Sequence, residues 1–138
     1  MHCRVRMLRL VGALAVIAGC TGASSTRGAG VPVVGAWNGR HASIVLSDSG
    51  GSIEYDCGHG GLRAAVRPDG DGQFSTPGVH VREHGGPMRL GEVPDSVPAR
   101  YVGRVRGREM ALRVVVGADT LGPFTLRRDG PSQLVKCL

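Results

Sequence analysis

From Val31 onward the chain is built of short apolar runs that alternate with polar residues, separated by glycine, proline, asparagine and aspartate, and it offers no stretch with helical spacing. That constraint admits only strands joined by turns. Val33 to Trp37 opens the pattern. Asn38-Gly39 follows, either as a tight hairpin turn or as a bulge within one long strand, and then Arg40 to Ser47 with Ala42, Ile44 and Leu46 on one face. Asp48 to Gly51 turns the chain into Ser52 to Cys57, where Ile53, Tyr55 and Cys57 oppose Glu54 and Asp56. Gly58 to Gly61 reads as the next turn, Leu62 to Arg67 as a strand with a charged outer face, and Pro68 to Gly72 as a strong turn. Phe74, Val79 and Val81 mark a fourth strand. Tyr101 to Val105, Met110 to Val116, Leu121 to Arg127 and Leu134 to Cys137 complete a set of about eight. An all-β, up-and-down antiparallel barrel is the economical solution, because closure removes exposed strand edges.

The N-terminus sets the location. Arg4, Arg6 and Arg9 precede an apolar run from Leu10 to Ala18 that is too short to span a bilayer, which is the pattern of a signal peptide. Ile17-Ala18-Gly19-Cys20 resembles the lipobox of bacterial lipoproteins. That resemblance implies cleavage before Cys20, lipidation of its thiol and new amine, and an envelope location facing periplasm or exterior with the membrane as a partner through the lipid. The expected layout is a cleaved leader over 1–19, a lipidated Gly/Ala/Ser/Thr tether over 20–31, and a barrel domain over 32–138. With the leader gone, 17 basic residues become 14 against 11 acidic, a balance of +3. Neither a stripe of charge nor stacking aromatics is present, so no nucleic-acid partner is expected. The remaining 119 residues suffice for one modest core, and the domain is expected to act as a monomer.

Export leaves Cys57 and Cys137 as the two cysteines of the folded part, and in an oxidising compartment they most simply form one disulfide. If strands alternate up and down, Cys57 ends the second and Cys137 the eighth, so both lie at one end of the barrel. The same parity brings Gly58-His59-Gly60 and the irregular stretch from His84 to Pro98 to that end. Connections of such length are uncommon unless they bind something. The disulfide end is therefore the expected working end, with His59, His84, Ser96, Arg100 and Tyr101 as its binding residues.

Gly35-Ala36-Trp37 resembles the Gly-x-Trp signature of lipocalin-like barrels, which implies a Trp closing one end beneath a basic residue, here Arg127 or Arg128. Tyr55-Asp56-Cys57 with the following glycines and Cys137 is similar to the membrane-bound bacterial inhibitors of c-type lysozyme. That similarity implies inhibition of a muramidase partner by a loop, which Ser96 to Tyr101 would supply. The texture also looks like small lipoproteins with a Cys-x-His-Gly turn, for which no activity is implied.

His59, His80 and His84 are the candidates for a metal site, because imidazoles from separate loops bind zinc or copper. Asp48 to Gly51 looks like the nucleophile segment of chymotrypsin-like proteases, and Asp69-Gly70-Asp71 like part of a calcium loop, but turn formation accounts for both. No carboxylate pair, phosphate loop or activated nucleophile stands out, so the chain reads as a binding protein, without catalysis and without a cofactor. An envelope metal-binding protein and a structural envelope component are the alternatives.

Overall fold

The computed structural model describes residues 30–87 and 89–137. The leader, Cys20 and most of the tether lie outside them. The protein is all-β: β1 (Gly35–Gly39), β2 (Ala42–Leu46), β3 (Gly51–Tyr55), β4 (Gly58–Leu62), β5 (Gln73–Arg82), β6 (Ser96–Arg106), β7 (Glu109–Val116) and β8 (Asp119–Arg128). Each strand pairs antiparallel with its neighbour in sequence, and β8 returns to β1, giving a closed eight-stranded barrel. A disulfide joins Cys57 to Cys137.

The eight strands are partitioned differently from the sequence expectation. Asn38-Gly39 belongs to β1, and the turn falls at Arg40 and His41, the latter with φ of 70°. Asn38 is held by its neighbours: its amide donates to Gly130 O at 2.9 Å and accepts from Ser43 Oγ. The segment Gly58 to Gly61, expected as a turn, is most of β4, and only Asp56 and Cys57 separate β3 from β4. Its glycines answer to packing from across the barrel. A Cβ at Gly60 would stand 2.2 Å from the Tyr101 hydroxyl, and one at Gly78 on β5 would stand 2.6 Å from the Tyr101 ring, so the phenol occupies space that side chains would fill.

Beyond Leu62, residues 63–72 form a connection rather than a strand, and Val66 plugs that end of the barrel with no exposed surface. The segment 134–137 is not a strand either. After β8 the chain turns at Asp129, runs back beside β1 through a single parallel bridge between Arg40 and Gln133, and reaches Asp56, whose carbonyl accepts from Cys137 N at 2.9 Å.

Inward-facing Trp37, Ile44, Ile53, Tyr101, Met110, Leu112, Val114 and Leu126 are each exposed by 1% or less and fill the middle of the barrel. Trp37 lies at the Val66 end, where the Arg128 guanidinium sits 5.7 Å from the indole centroid, so of the two expected arginines it is Arg128 that covers the ring.

The disulfide closes a loop with a sequence separation of 80, which on the chain-entropy model stabilises the fold by roughly 4–5 kcal/mol. Replacing both cysteines by serine (Cys57→Ser with Cys137→Ser) is expected to lower the unfolding free energy by that order in denaturant titrations. A loss below about 1 kcal/mol would show that the β1–β8 seam holds the chain ends unaided.

Candidate functional site

Five segments meet at the disulfide end: the β1–β2 turn with His41, the β3–β4 turn with Asp56 and Cys57, the connection 83–95, the β7–β8 turn, and the C-terminal strap. Antiparallel alternation puts the connections there, and hydrogen bonds between them fix the rim. Asp56 is the centre of that network. One carboxylate oxygen accepts from Val135 N at 2.9 Å and the other is bonded to His41 Nδ1. The Val135 amide, with His41 and Lys136 adding to it, holds Asp56 below the usual carboxylate range.

Glu83 follows β5 and receives His59 Nδ1 at 2.7 Å, while Lys136 Nζ reaches Glu54 at 2.7 Å and Glu83 at 3.5 Å. The His59 hydrogen bond pulls the Glu83 carboxyl down, and Glu54 raises Lys136. Further out, His84 Nε2 meets Glu92 at 2.6 Å across the connection, and the second Glu92 oxygen accepts from Arg89 N at 2.9 Å.

The expected binding residues are distributed over three environments. His59 is partly exposed on the outer wall of β4, and His84 stands in the 83–95 connection. Ser96 is the first residue of β6, so the irregular stretch ends at Asp95 and the segment from Ser96 to Tyr101 is strand. Arg100 faces outward from mid-strand and donates to Ser75 Oγ at 3.1 Å. Tyr101 faces inward, fully buried, and donates to Val79 O at 2.7 Å, which removes it from any accessible surface.

The three histidines considered for metal are also separated. His80 is 8% exposed and points into the barrel, whereas His59, next to Gly60, the β4 partner of His80, points out. β5 ends at Arg82, so His84 does not continue its face. Among the described residues no group of three or more His, Cys, Asp or Glu side chains is gathered to hold a metal ion.

Between these segments a recess of about 430 Å³ opens at the barrel mouth, lined by His41, Tyr55, Asp56, Cys57, His80, Arg82, Glu83, Leu121, Gly122 and Phe124. Tyr55 donates to Tyr101 Oη at 3.4 Å, and burial pushes both phenols up, so they stay neutral. Burial also pushes His80 below the ordinary imidazole value, with Arg82 and His59 adding to the effect. Asp56 and Glu83, which lie near the candidate histidines in sequence, are joined at the rim by Arg82 and Lys136, which the sequence pattern does not single out. The adjacency of Asp56 and Lys136 to the two cysteines was the available signal. No protein-family model, curated protein or solved structure matches the chain.

The His84–Glu92 pair gives a pH signature. Its Glu92 hydrogen bond raises His84 above 6.5, and the Arg89 amide with His84 lowers Glu92 below 4.5. The contribution from His84 is complete below 6.5 and is lost as pH rises through its raised folded value. That from Glu92 is complete above 4.5 and is lost as pH falls through its lowered one. The connection is therefore expected to be best ordered between those two ordinary values. NMR titration should place His84 above 6.5, and Glu92→Gln should return it toward 6.5; an unchanged midpoint in the variant would show that the pair does not form in solution.

Proposed function

We propose that this protein is a lipid-anchored binding module of the cell envelope that works without catalysis through the disulfide end of its barrel. The observation that carries the reading is the connection 83–95. It leaves the barrel beside the disulfide and is braced by the His84–Glu92 pair and by Glu92 N donating to Arg89 O at 3.0 Å. On this brace Leu90 and Val93 are held fully out in solvent, at 108% and 85% exposure. Two apolar side chains on a braced loop gain by burial against a partner, and bracing lowers the ordering cost of binding. The partner suggested by the resemblance around Tyr55-Asp56-Cys57 is a c-type lysozyme, whose cleft the loop would enter. Because Ser96 to Tyr101 is strand and Tyr101 is buried, our reading gives that role to Leu90 and Val93 instead. Anchorage rests on Ile17-Ala18-Gly19-Cys20 and the Gly/Ser/Thr-rich tether that follows.

The test is lysozyme turnover in the presence of equimolar full-length protein. Inhibition is expected, and the pair Leu90→Asp and Val93→Asp should weaken it at least tenfold while leaving the thermal midpoint unchanged. Undiminished turnover with the wild-type chain overturns the lysozyme assignment, and equal inhibition by the variant moves the contact away from the loop. For the anchor, Cys20→Ser is expected to release the protein from the membrane fraction on cell fractionation; retention of the variant there would overturn lipidation at this residue.

A further inference from the structure

The recess at the barrel mouth has an apolar floor and a charged rim. Tyr55, Leu121 and Phe124 form the floor, with the Tyr55 ring 5.4 Å from His80 and 5.8 Å from Phe124, centroid to centroid. Two features distinguish this arrangement from simple filling of the barrel end.

The first is His80. It is 92% buried, yet its Nδ1 is enclosed without a hydrogen-bond partner. A phenylalanine would leave no polar atom unpaired here, so an imidazole is unfavourable unless a partner bonds to it. Its χ2 torsion is broad and roughly two-fold, so a flip of the ring exchanges the places of Nδ1 and Cδ2.

The second is the distribution of charge around the rim. Both carboxylates are engaged by the protein itself, Asp56 with Val135 N and His41, Glu83 with His59 and Lys136. The Arg82 guanidinium has no ion pair among the described residues, and it lines the recess two residues along β5 from His80, on the same side of the strand. Among the residues lining the recess the uncommitted charge is therefore positive, while Asp95, at the end of the 83–95 connection and outside that lining, acts on His80 from further off.

We propose that the recess binds a small carboxylate with a flat apolar body, its ring system against Tyr55 and Phe124 and its carboxylate between Arg82 and the His80 imidazole. The volume of about 430 Å³ falls within the range of small-molecule sites, roughly 300–1,000 Å³. Arg82 supplies a charge-assisted hydrogen bond at the wet rim, and the neutral imidazole supplies an N–H donor further in. The proposal is independent of the protein partner at the 83–95 connection, since it uses neither Leu90 nor Val93.

The test titrates 2-naphthoate and, as the uncharged control of the same shape, 2-naphthamide into the full-length protein while the ring resonances of His80, Tyr55 and Phe124 are followed by NMR. Saturable shifts of all three rings with the acid are expected, with the amide at least tenfold weaker. Arg82→Gln, at an exposed position, should reduce the affinity for the acid to that for the amide without altering the fold. His80→Phe should weaken the acid at least tenfold while the thermal midpoint holds or rises. Absence of saturable shifts with the acid, equal affinity for acid and amide, or an Arg82→Gln variant that binds the acid as tightly as wild type would each overturn the proposal. Lysozyme inhibition is measured separately, so either result stands without the other.

Discussion

Three residue pairs, Trp37 with Arg128, Asn38 with Arg127 and Gly39 with Leu126, close the sheet on itself, and the remaining architecture depends on that seam. β1 is only five residues long and must approach β8 closely: a Cβ on Gly39 would stand 2.2 Å from the Thr125 carbonyl. So short a pairing would fray as an isolated ribbon. The chain reinforces it by continuing past β8. Asp129 N donates to Ala36 O at 2.9 Å, the Asn38 amide to Gly130 O at 2.9 Å, and Gln133 N to Gly39 O at 3.2 Å, so the strap bonds to the side of β1 that β8 leaves. Arg128 adds the cover over Trp37 at the opposite end.

The same strap organises the mouth. Having passed along β1, it delivers Val135 and Cys137 to Asp56 and Lys136 to Glu54 and Glu83, so a few residues near the C-terminus tie β3, the β3–β4 turn and the start of the 83–95 connection together. Exposed ion pairs of this kind contribute little singly. Their effect here comes from being joined to backbone hydrogen bonds and to a covalent link, which fixes the directions in which the connection and the recess face. A loop or pocket on a fixed rim loses less freedom when it binds.

Much of the barrel was legible in the sequence because β2, β3 and β7 alternate, and inward residues such as Ile44, Ile53 and Leu112 follow from period two. β4 was not legible. Its Gly-His-Gly-Gly run has turn composition, and the reason it is strand, a phenol arriving from β6 into the space above Gly60, is tertiary. Leu62, Ala64 and Val66 misled in the other direction, since Val66 is buried as a plug and not as part of a ladder. The cysteine count gave the observed pairing, and the parity that put both cysteines at one end holds although the strand numbers differ. Cys57 follows the third strand instead of the second, while the strap makes one extra pass beyond the eighth, and the two shifts offset each other. Tyr101 shows what alternation would have told: it shares a face of β6 with buried Ala99, while Ser96 and Arg100 share the other. What no local pattern carries is the fate of each charge, because the partners of Asp56 and Glu83 come from 15 to 79 residues away.

That distribution of charge bears most directly on function. A rim that served only to stabilise the barrel end would pair each charged group and fill the mouth with apolar bodies; the other end is filled by Val66 and by Trp37, whose indole Nε1 is itself enclosed without a hydrogen-bond partner. At the disulfide end the carboxylates that line the recess are engaged by the strap and by histidines, but among the described residues Arg82 has no ion pair and His80 Nδ1 no hydrogen-bond partner, beside an aromatic floor. An unpaired buried polar group calls for a physical reason, and for His80 the proposed ligand carboxylate supplies one. What sets the disulfide end apart from the plugged end is the open recess with Arg82 at its rim, and the proposed carboxylate site rests on that difference.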